Sequence, residues 1–302
     1  MRKKILIIGG TGFIGRQLCK SLLKDNYRVV VLTRSRKKAL AVLPTPCVVV
    51  ENLGEITAQQ IPDAVINLAG AAIADQYWSS KRKHLLRESR IKFTQDLVGW
   101  LLENCPNLKV MVSGSAVGYY GSQDGSLALN EHSEAVAGFT HQLCKDWEDQ
   151  SQRLVNTNCR VCLLRTGIVL GKNGGALAKM LPAFNCCLGG PVASGHQFMS
   201  WVHMDDMVRA IKFLLENNHA QGPYNITAPN AVSNLVFSET LAQVLHRPAA
   251  IRVSVFIIRL LLGEGAELLL QGQRVIPERL LAAGFNFKYP HLKSALTAII
   301  KK

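Results

Sequence analysis

Residues 4–34 read KILIIGGTGFIGRQLCKSLLKDNYRVVVLTR, an apolar strand that runs into a glycine-rich turn, a helix and a second apolar strand ending in Thr33-Arg34. Gly9, Gly12 and Gly15 are spaced GxxGxxG. The first glycine permits a tight turn, the second lets backbone approach a pyrophosphate, and the third lets the helix pack close to the sheet. The helix carries Phe13, Ile14, Leu18, Leu22 and Leu23 in an apolar helical pattern, and its start offers unpaired N–H groups and a partial positive charge. A glycine triplet alone is weak evidence. Between a strand and a helix it stands in the context that binds a dinucleotide.

The end of the second strand selects which dinucleotide. An acid there holds the ribose 2′-hydroxyl of NAD, whereas the 2′-phosphate of NADP calls for a cation. The chain has Thr33-Arg34-Ser35-Arg36-Lys37-Lys38 and no acid. Arg34 can meet a phosphate with a two-pronged, charge-assisted hydrogen bond. The expected cofactor is therefore NADP(H), with Lys37 and Lys38 left as solvated cations.

At 302 residues the chain is long enough to bury a full core. No apolar run approaches the roughly 18 residues of a membrane span. The first strand begins at once, so a cytoplasmic protein without a signal peptide is expected. The eight cysteines form no paired CxxC sets, and Cys159 and Cys162 straddle the start of a strand whose alternate residues face opposite sides. Reduced core thiols and no metal are expected. The net charge of +14 is dispersed; its densest groups, Arg34 to Lys38 and Lys81-Arg82-Lys83, are not interleaved with aromatics. This favours an anionic cofactor and a small-molecule substrate over nucleic acid or membrane as partner. A homodimer is compatible with the chain.

Strand and helix patterns alternate, the signature of a parallel sheet covered by helices on both faces. Further strands are expected at Cys47–Val50, Ala64–Leu68, Lys109–Ser113 and Arg160–Leu164, with helices over about 81–103 and 140–154. Past Arg165 the pattern loosens. Glycine-rich loops at 171–175 and 189–195 flank a helix, and Trp201-Val202-His203 leads into a helix over 205–216 with Asp205 as its N-cap. Tyr224–Ile226 is a short strand, and Ser233 caps a helix over 231–245. The expectation is an α/β, doubly wound parallel sheet of the Rossmann type over residues 1–225, with a small, mostly helical substrate-side cap over 226–302.

Open α/β sheets bind ligands outside the carboxyl ends of their strands. The fourth strand ends in Asn67-Leu68-Ala69-Gly70, small residues suited to lie against the adenosine half of a cofactor. The fifth ends in Ser113-Gly114-Ser115-Ala116-Val117-Gly118-Tyr119-Tyr120-Gly121, and the sixth in Arg165-Thr166-Gly167.

GGTGFIG, NLAG, the serine-rich strand end followed by YYG, and WVHMDDM resemble an extended short-chain dehydrogenase/reductase. SRIKFT, RTGIVLG, GGAL, GGPVASGHQFMSWVHMDD, GPYNITAPN and GQRVIPERLLAAGF resemble the atypical, epimerase-like YfcH family along essentially the whole chain. The resemblance implies a nucleotide-sugar-epimerase-type fold and NADP(H) binding, with no substrate specified. It implies Thr33 and Arg34 at the 2′-phosphate, Leu68-Ala69 beside the cofactor, and Arg90 and Arg165 as cofactor-side cations. Active members of the superfamily use Ser with a YxxxK pair, in which Lys lowers the tyrosine pKa so that Tyr can exchange a proton. With Glu148 aligned on the usual helix glutamate, Thr140 and Cys144 hold the Tyr and Lys positions, so the relay is missing. Tyr77–Lys81 and Tyr289–Lys293 match YxxxK in the wrong places. Ser115 and Tyr120 are the catalytic candidates, Tyr119 the weaker alternative, and His141 is read as a surface histidine. Two functions stay open: an NADP(H)-dependent oxidoreductase on a small carbonyl or nucleotide-linked sugar, and a non-catalytic NADP(H)-binding sensor or cell-division partner.

Overall fold

A computed structural model of the chain describes residues 3–301 apart from Asp124 and Ala250. In chain order the first half runs β1 (Lys4–Ile8), α1 (Phe13–Lys24), β2 (Arg28–Leu32), α2 (Arg36–Val42), β3 (Val48–Val50), β4 (Ala64–Asn67), α3 (Ser80–Arg87), α4 (Phe93–Asn104), β5 (Val110–Ala116) and α5 (Phe139–Gln152). It continues with β6 (Arg160–Thr166), β7 (Ile168–Leu170), α6 (Gly175–Asn185), β8 (Phe198–Met199), β9 (Trp201–His203), α7 (Met204–Glu216), β10 (Gly222–Ile226), β11 (Val232–Ser233) and α8 (Asn234–Leu245). The C-terminal part is α9 (Val255–Leu262), α10 (Glu267–Leu270), α11 (Glu278–Ala282) and α12 (Leu292–Ile300).

Seven strands form one sheet in the order β10-β6-β5-β4-β1-β2-β3, every pair parallel. The doubly wound expectation holds, and Tyr224–Ile226 lies within its edge strand. The order reverses between β1 and β4, which opens the ligand crevice above their carboxyl ends. Alternation along β1 sorts its side chains. Ile5 and Ile7 join the core under α1 and α7, while Leu6 and Ile8 join the core under α4. Cys162 lies in the first core and Cys159 in the second, the opposite-face placement expected for the pair, and both thiols are pushed up to about 11, chiefly by burial.

Gly9 has φ +76, and its side-chain position is filled by the Leu68 carbonyl, 2.6 Å from where a Cβ would stand. A Cβ on Gly15 would lie 2.2 Å from the Gly9 oxygen. The turn, α1 and the end of β4 thus meet backbone to backbone, and only glycine fits there.

The helix expected over 81–103 is α3 and α4 joined by a π-helical turn, Glu88–Lys92. Such wide turns carry one extra residue and recur at functional sites; this one contains Arg90. The cap of α7 is His203, whose Nδ1 accepts from the Asp205 amide at 3.0 Å, and not Asp205 as expected. The first turn has one cap position, and β9 delivers His203 into it. Asp206, fully buried, accepts from the Lys288 and Tyr289 amides at 2.8 Å each and ties the C-terminal segment to α7. Ser233 caps α8 as expected, although the helix starts at Asn234.

A third core, built from α6, α8, α12 and the β7–β9 pair, forms the second lobe around Trp201, Phe237 and Leu296. The C-terminal segment then returns across the sheet. Gln273 donates to the Gly121 carbonyl at 2.6 Å, and Asn225 donates to that of Ile276 at 2.9 Å. Gly15→Ala should cost about 2 kcal/mol through overpacking against the Gly9 carbonyl. A urea midpoint equal to wild type would contradict this close approach.

Candidate functional site

The dinucleotide turn places Gly12 as the exposed cap of α1, with Phe13 and Ile14 at the helix start. The Phe13 ring is not turned to open solvent: it packs against Gly171 and Gly174 of the loop before α6 and Gly175 at the start of that helix. Across the crevice the NLAG strand end is pinned from below. Asn67 Oδ1 accepts from the Ala69 amide at 3.1 Å, Asn67 Nδ2 donates to Thr94 Oγ1 at 2.9 Å, and Trp147 Nε1 donates to the same oxygen at 3.0 Å. Leu68 and Ala69 are half-buried and Gly70 is exposed, as a surface that receives a ligand should be.

The cations after β2 separate by partner. Arg36 is ion-paired with Glu55 at 2.6 Å, and Ser35 caps α2 by accepting from the Lys38 amide. Thr33 Oγ1 accepts from the Ser35 amide at 3.4 Å. Arg34 is exposed, and among the described residues its guanidinium has no hydrogen-bond or ion-pair partner. Its whole donor fork is available at the position where a 2′-phosphate is recognised.

At the carboxyl ends of β5 and β6 three expected site residues sit together in one buried hydrogen-bonded network. Arg165 is buried and pairs in bidentate fashion with Glu148 on α5, Nε to Oε1 and Nη2 to Oε2, each at 3.0 Å. Its Nη1 donates to the Tyr120 hydroxyl and the Glu131 carbonyl at 3.3 Å, and its guanidinium lies 3.4 Å from the Tyr119 ring centre. Burial opposes the charge, but the Glu148 carboxylate outweighs it and holds the guanidinium protonated. The cation expected on the cofactor side thus pairs with an interior carboxylate.

Tyr120 belongs to the same network. It is fully buried, its hydroxyl donates to Asn225 Oδ1 at 2.7 Å, and its pKa is pushed up to about 12 because burial outweighs the Arg165 charge. A phenol so placed is a packing and hydrogen-bonding group, poorly matched to proton exchange near neutrality. Ser115 is also buried, and its Oγ donates to Glu148 Oε1 at 2.6 Å, so its proton is committed. Tyr119 is half-buried with no hydroxyl partner among the described residues. His141 is half-buried too, its ring edge-on to Tyr119 and its Nδ1 against the Tyr119 carbonyl.

The absent relay is visible in space. Thr140 and Cys144 face Gly118 beside the end of β5, where a Cβ on that glycine would stand 3.2 Å from Thr140 and 3.7 Å from the Cys144 sulfur. The Cys144 thiol is pushed up to about 12, by burial first and then by Glu148. No group of three or more His, Cys, Asp or Glu suited to a metal occurs among the described residues.

Sequence reasoning missed Glu148 as an interior anion, together with Glu131 and Asn225. A signal was present: an arginine inside the strand VCLLRT demands a buried counter-charge. Glu148 shares the buried face of α5 with Leu143, Cys144, Trp147 and Ser151.

The sheet order, the glycine turn at the switch point and the free cation after β2 define a dinucleotide-binding α/β protein of the extended short-chain dehydrogenase/reductase type. The chain belongs to the NAD dependent epimerase/dehydratase family, which it matches over residues 5–227; residues 253–299 match a domain of unknown function, DUF1731. It is 41% identical over 304 residues to the chloroplastic epimerase family protein SDR39U1 homolog of Arabidopsis thaliana, covering 98% of this chain and 86% of that protein. The crystal structure of human epimerase family protein SDR39U1 (isoform 2) with NADPH superposes with a TM-score of 0.89 at 33% identity, over 99% of both chains. UDP-glucose 4-epimerase of Thermotoga maritima, solved with UDP-glucose, shares the fold at 17% identity and a TM-score of 0.81, over 99% of this chain and 97% of that one.

Removing Glu148 strands a buried guanidinium, so Glu148→Ala should lose about 3–5 kcal/mol of stability. Tyr120→Phe should lose about 1–3 kcal/mol, because Asn225 and Arg165 each lose a partner. Chemical denaturation checks both; a Tyr120→Phe protein as stable as wild type would return Tyr120 to the list of chemical groups.

Proposed function

We propose that this chain binds NADP(H) and works as an epimerase-like oxidoreductase on a small carbonyl or sugar-like compound. The Arg34 guanidinium after β2, without a hydrogen-bond or ion-pair partner among the described residues, is the observation that carries the cofactor choice. The relative solved with NADPH supports the same choice. The residues present fit such a group: glycines leave room for the pyrophosphate, the start of α1 offers amide donors, and Arg34 offers a fork to the extra phosphate. When bound, the nicotinamide supplies hydride transfer.

The chain's own residues position and enclose. The Phe13 ring closes the turn onto the 171–175 loop. On the other side the C-terminal lobe reaches the segment after β4: the Trp78 amide donates to the Leu262 carbonyl at 3.3 Å, Lys83 pairs with Glu264, and the Tyr77 ring covers Gly263. A second lobe that reaches the segment after β4, across from the dinucleotide turn, leaves a place suited to a substrate between them. A second reading, NADP(H) binding without turnover, is favoured by Thr140 and Cys144 at the relay positions and by the committed protons of Ser115 and Tyr120. Oxidation of NADPH in the presence of carbonyl compounds separates the two readings.

Arg34→Ala should weaken NADPH binding by about 10- to 100-fold, the worth of roughly 1.5–3 kcal/mol for hydrogen bonds to a charged group, and leave NADH binding unchanged. Calorimetric titration with both nucleotides measures this. Equal losses for NADPH and NADH would refute the role given to Arg34.

A further inference from the structure

Helix α9, VFIIRLLL, turns most of its surface outward. Of its eight residues Ile258 alone is buried and Leu262 alone half-buried. Val255, Phe256, Ile257, Leu260 and Leu261 are all exposed, Phe256 by 74%, Leu260 by 68% and Leu261 by 65%. A monomer seldom shows more than roughly a few hundred Å² of apolar surface in one place, and five large apolar side chains on two helical turns reach that size. Exposed Leu188 and Ile251 widen the patch. The loop that carries Leu188 runs beside the approach to α9: the Val253 amide donates to the Pro191 carbonyl and the Ala193 amide to that of Val253, each at 2.9 Å.

The helix is fastened at both ends, so this face is held outward. Ser254 caps it by accepting from the Phe256 amide at 3.2 Å, and Ile258 anchors its inner side. At the other end the Leu262 carbonyl accepts from the Trp78 amide at 3.3 Å, and the Tyr77 ring lies against Gly263, where a Cβ would stand 2.5 Å from it. With residues 255–257 and 259–261 all exposed, α9 stands as a ridge and not as the floor of a groove. Eight residues span about 12 Å, too short to cross a bilayer but enough to lie in its surface.

The charge around the ridge has one sign. Residues 247–263, RPAAIRVSVFIIRLLLG, hold three arginines and no acid. Arg247, Arg252 and Arg259 are exposed, and none has a carboxylate partner among the described residues. Arg252 donates to the Ala193 and Ser194 carbonyls at 3.1 and 3.2 Å. Glu264, the first acid after α9, pairs with Lys83. The net charge of +14 is dispersed along the sequence, but here cations and large apolar side chains stand together. Such a surface calls for a partner that is anionic outside and apolar beneath, and an acidic bilayer surface is that. A second copy of the chain would bring like charge against like, and a bound peptide helix needs a groove.

We propose that α9 docks this protein on an anionic phospholipid bilayer: Phe256, Leu260 and Leu261 enter the boundary between headgroups and acyl chains, and Arg252 and Arg259 meet the lipid phosphates. The same helix adjoins the Tyr77-Trp78 segment after β4, so docking sets the second lobe's side of the molecule against the lipid. The partner expected from the dispersed charge alone, a small molecule without a membrane, is thereby extended.

Flotation of the full chain with vesicles of phosphatidylcholine, alone or mixed with phosphatidylglycerol, tests this. Wild type should bind the mixed vesicles about tenfold or more tightly than the neutral ones. Phe256→Ser and Leu260→Ser keep the net charge, so a loss of about tenfold or more in each separates insertion of the ridge from general attraction of a basic protein. Arg259→Gln should weaken binding to the mixed vesicles about fivefold. All three variants should keep the urea midpoint of wild type, because the altered side chains are exposed. No flotation of wild type, equal binding to both kinds of vesicle, or undiminished binding by both serine variants overturns the proposal. So does a dimer, seen by light scattering, that Phe256→Ser and Leu260→Ser dissolve, which would give the face to a second copy.

Discussion

Glu148 and Arg165, withdrawn from water at the carboxyl ends of the sheet, hold together the polar interior of this protein. Each is too costly to bury alone, and their bidentate contact is what permits either to be there. From that pair the hydrogen bonds spread outward: Ser115 to Glu148, Arg165 to Tyr120, Tyr120 to Asn225, and the Asn225 amide to Glu131. Glu131 also accepts from the Arg279 amide, which reaches the C-terminal segment. One buried ion pair therefore connects β5, α5, β6, β10 and α11. Its pay-off is specificity of arrangement more than stability, since buried pairs often do no better than a well-packed apolar substitute.

The same network explains the chemistry missing from this cleft. A Ser–Tyr–Lys site needs a serine free to donate and a tyrosine whose pKa is brought down by a nearby cation. Here the serine proton goes to Glu148, the nearest tyrosine hydroxyls belong to a different element, and the lysine position holds a buried thiol. The cations nearest the cleft have been redistributed. Arg165 serves the interior, Arg34 faces outward at β2, and Arg82 and Arg90 donate to the Ala72 and Ala71 carbonyls of the loop after β4. The electrostatics favour holding anions over moving protons.

The C-terminal segment is not an appendage. Asp206 grips its backbone, Arg279 holds it to the edge strand β10, Gln273 ties it to the Gly121 carbonyl after β5, and residues 262–264 lie on the segment after β4. The second lobe is thereby fixed relative to the dinucleotide turn, and the cleft has two walls that belong to one polar and apolar framework.

Much of this was legible in the chain itself. The glycine spacing, strand alternation and helix periodicity are set by short-range sterics, so the turn at Gly9, the order of strands and helices and the cation after β2 follow from residues within a few positions of one another. The caps were only half legible: Ser233 was readable, but His203 displaced Asp205 because β9 delivers it into the first turn. The partners of Arg165, Tyr120, Ser115 and Arg90 were beyond reach, for these side chains meet residues 17 to 105 positions away. Whether a cation is free or spent, and whether a hydroxyl can still give its proton, depends on which distant groups the packing brings within three ångströms, and that only the folded chain decides.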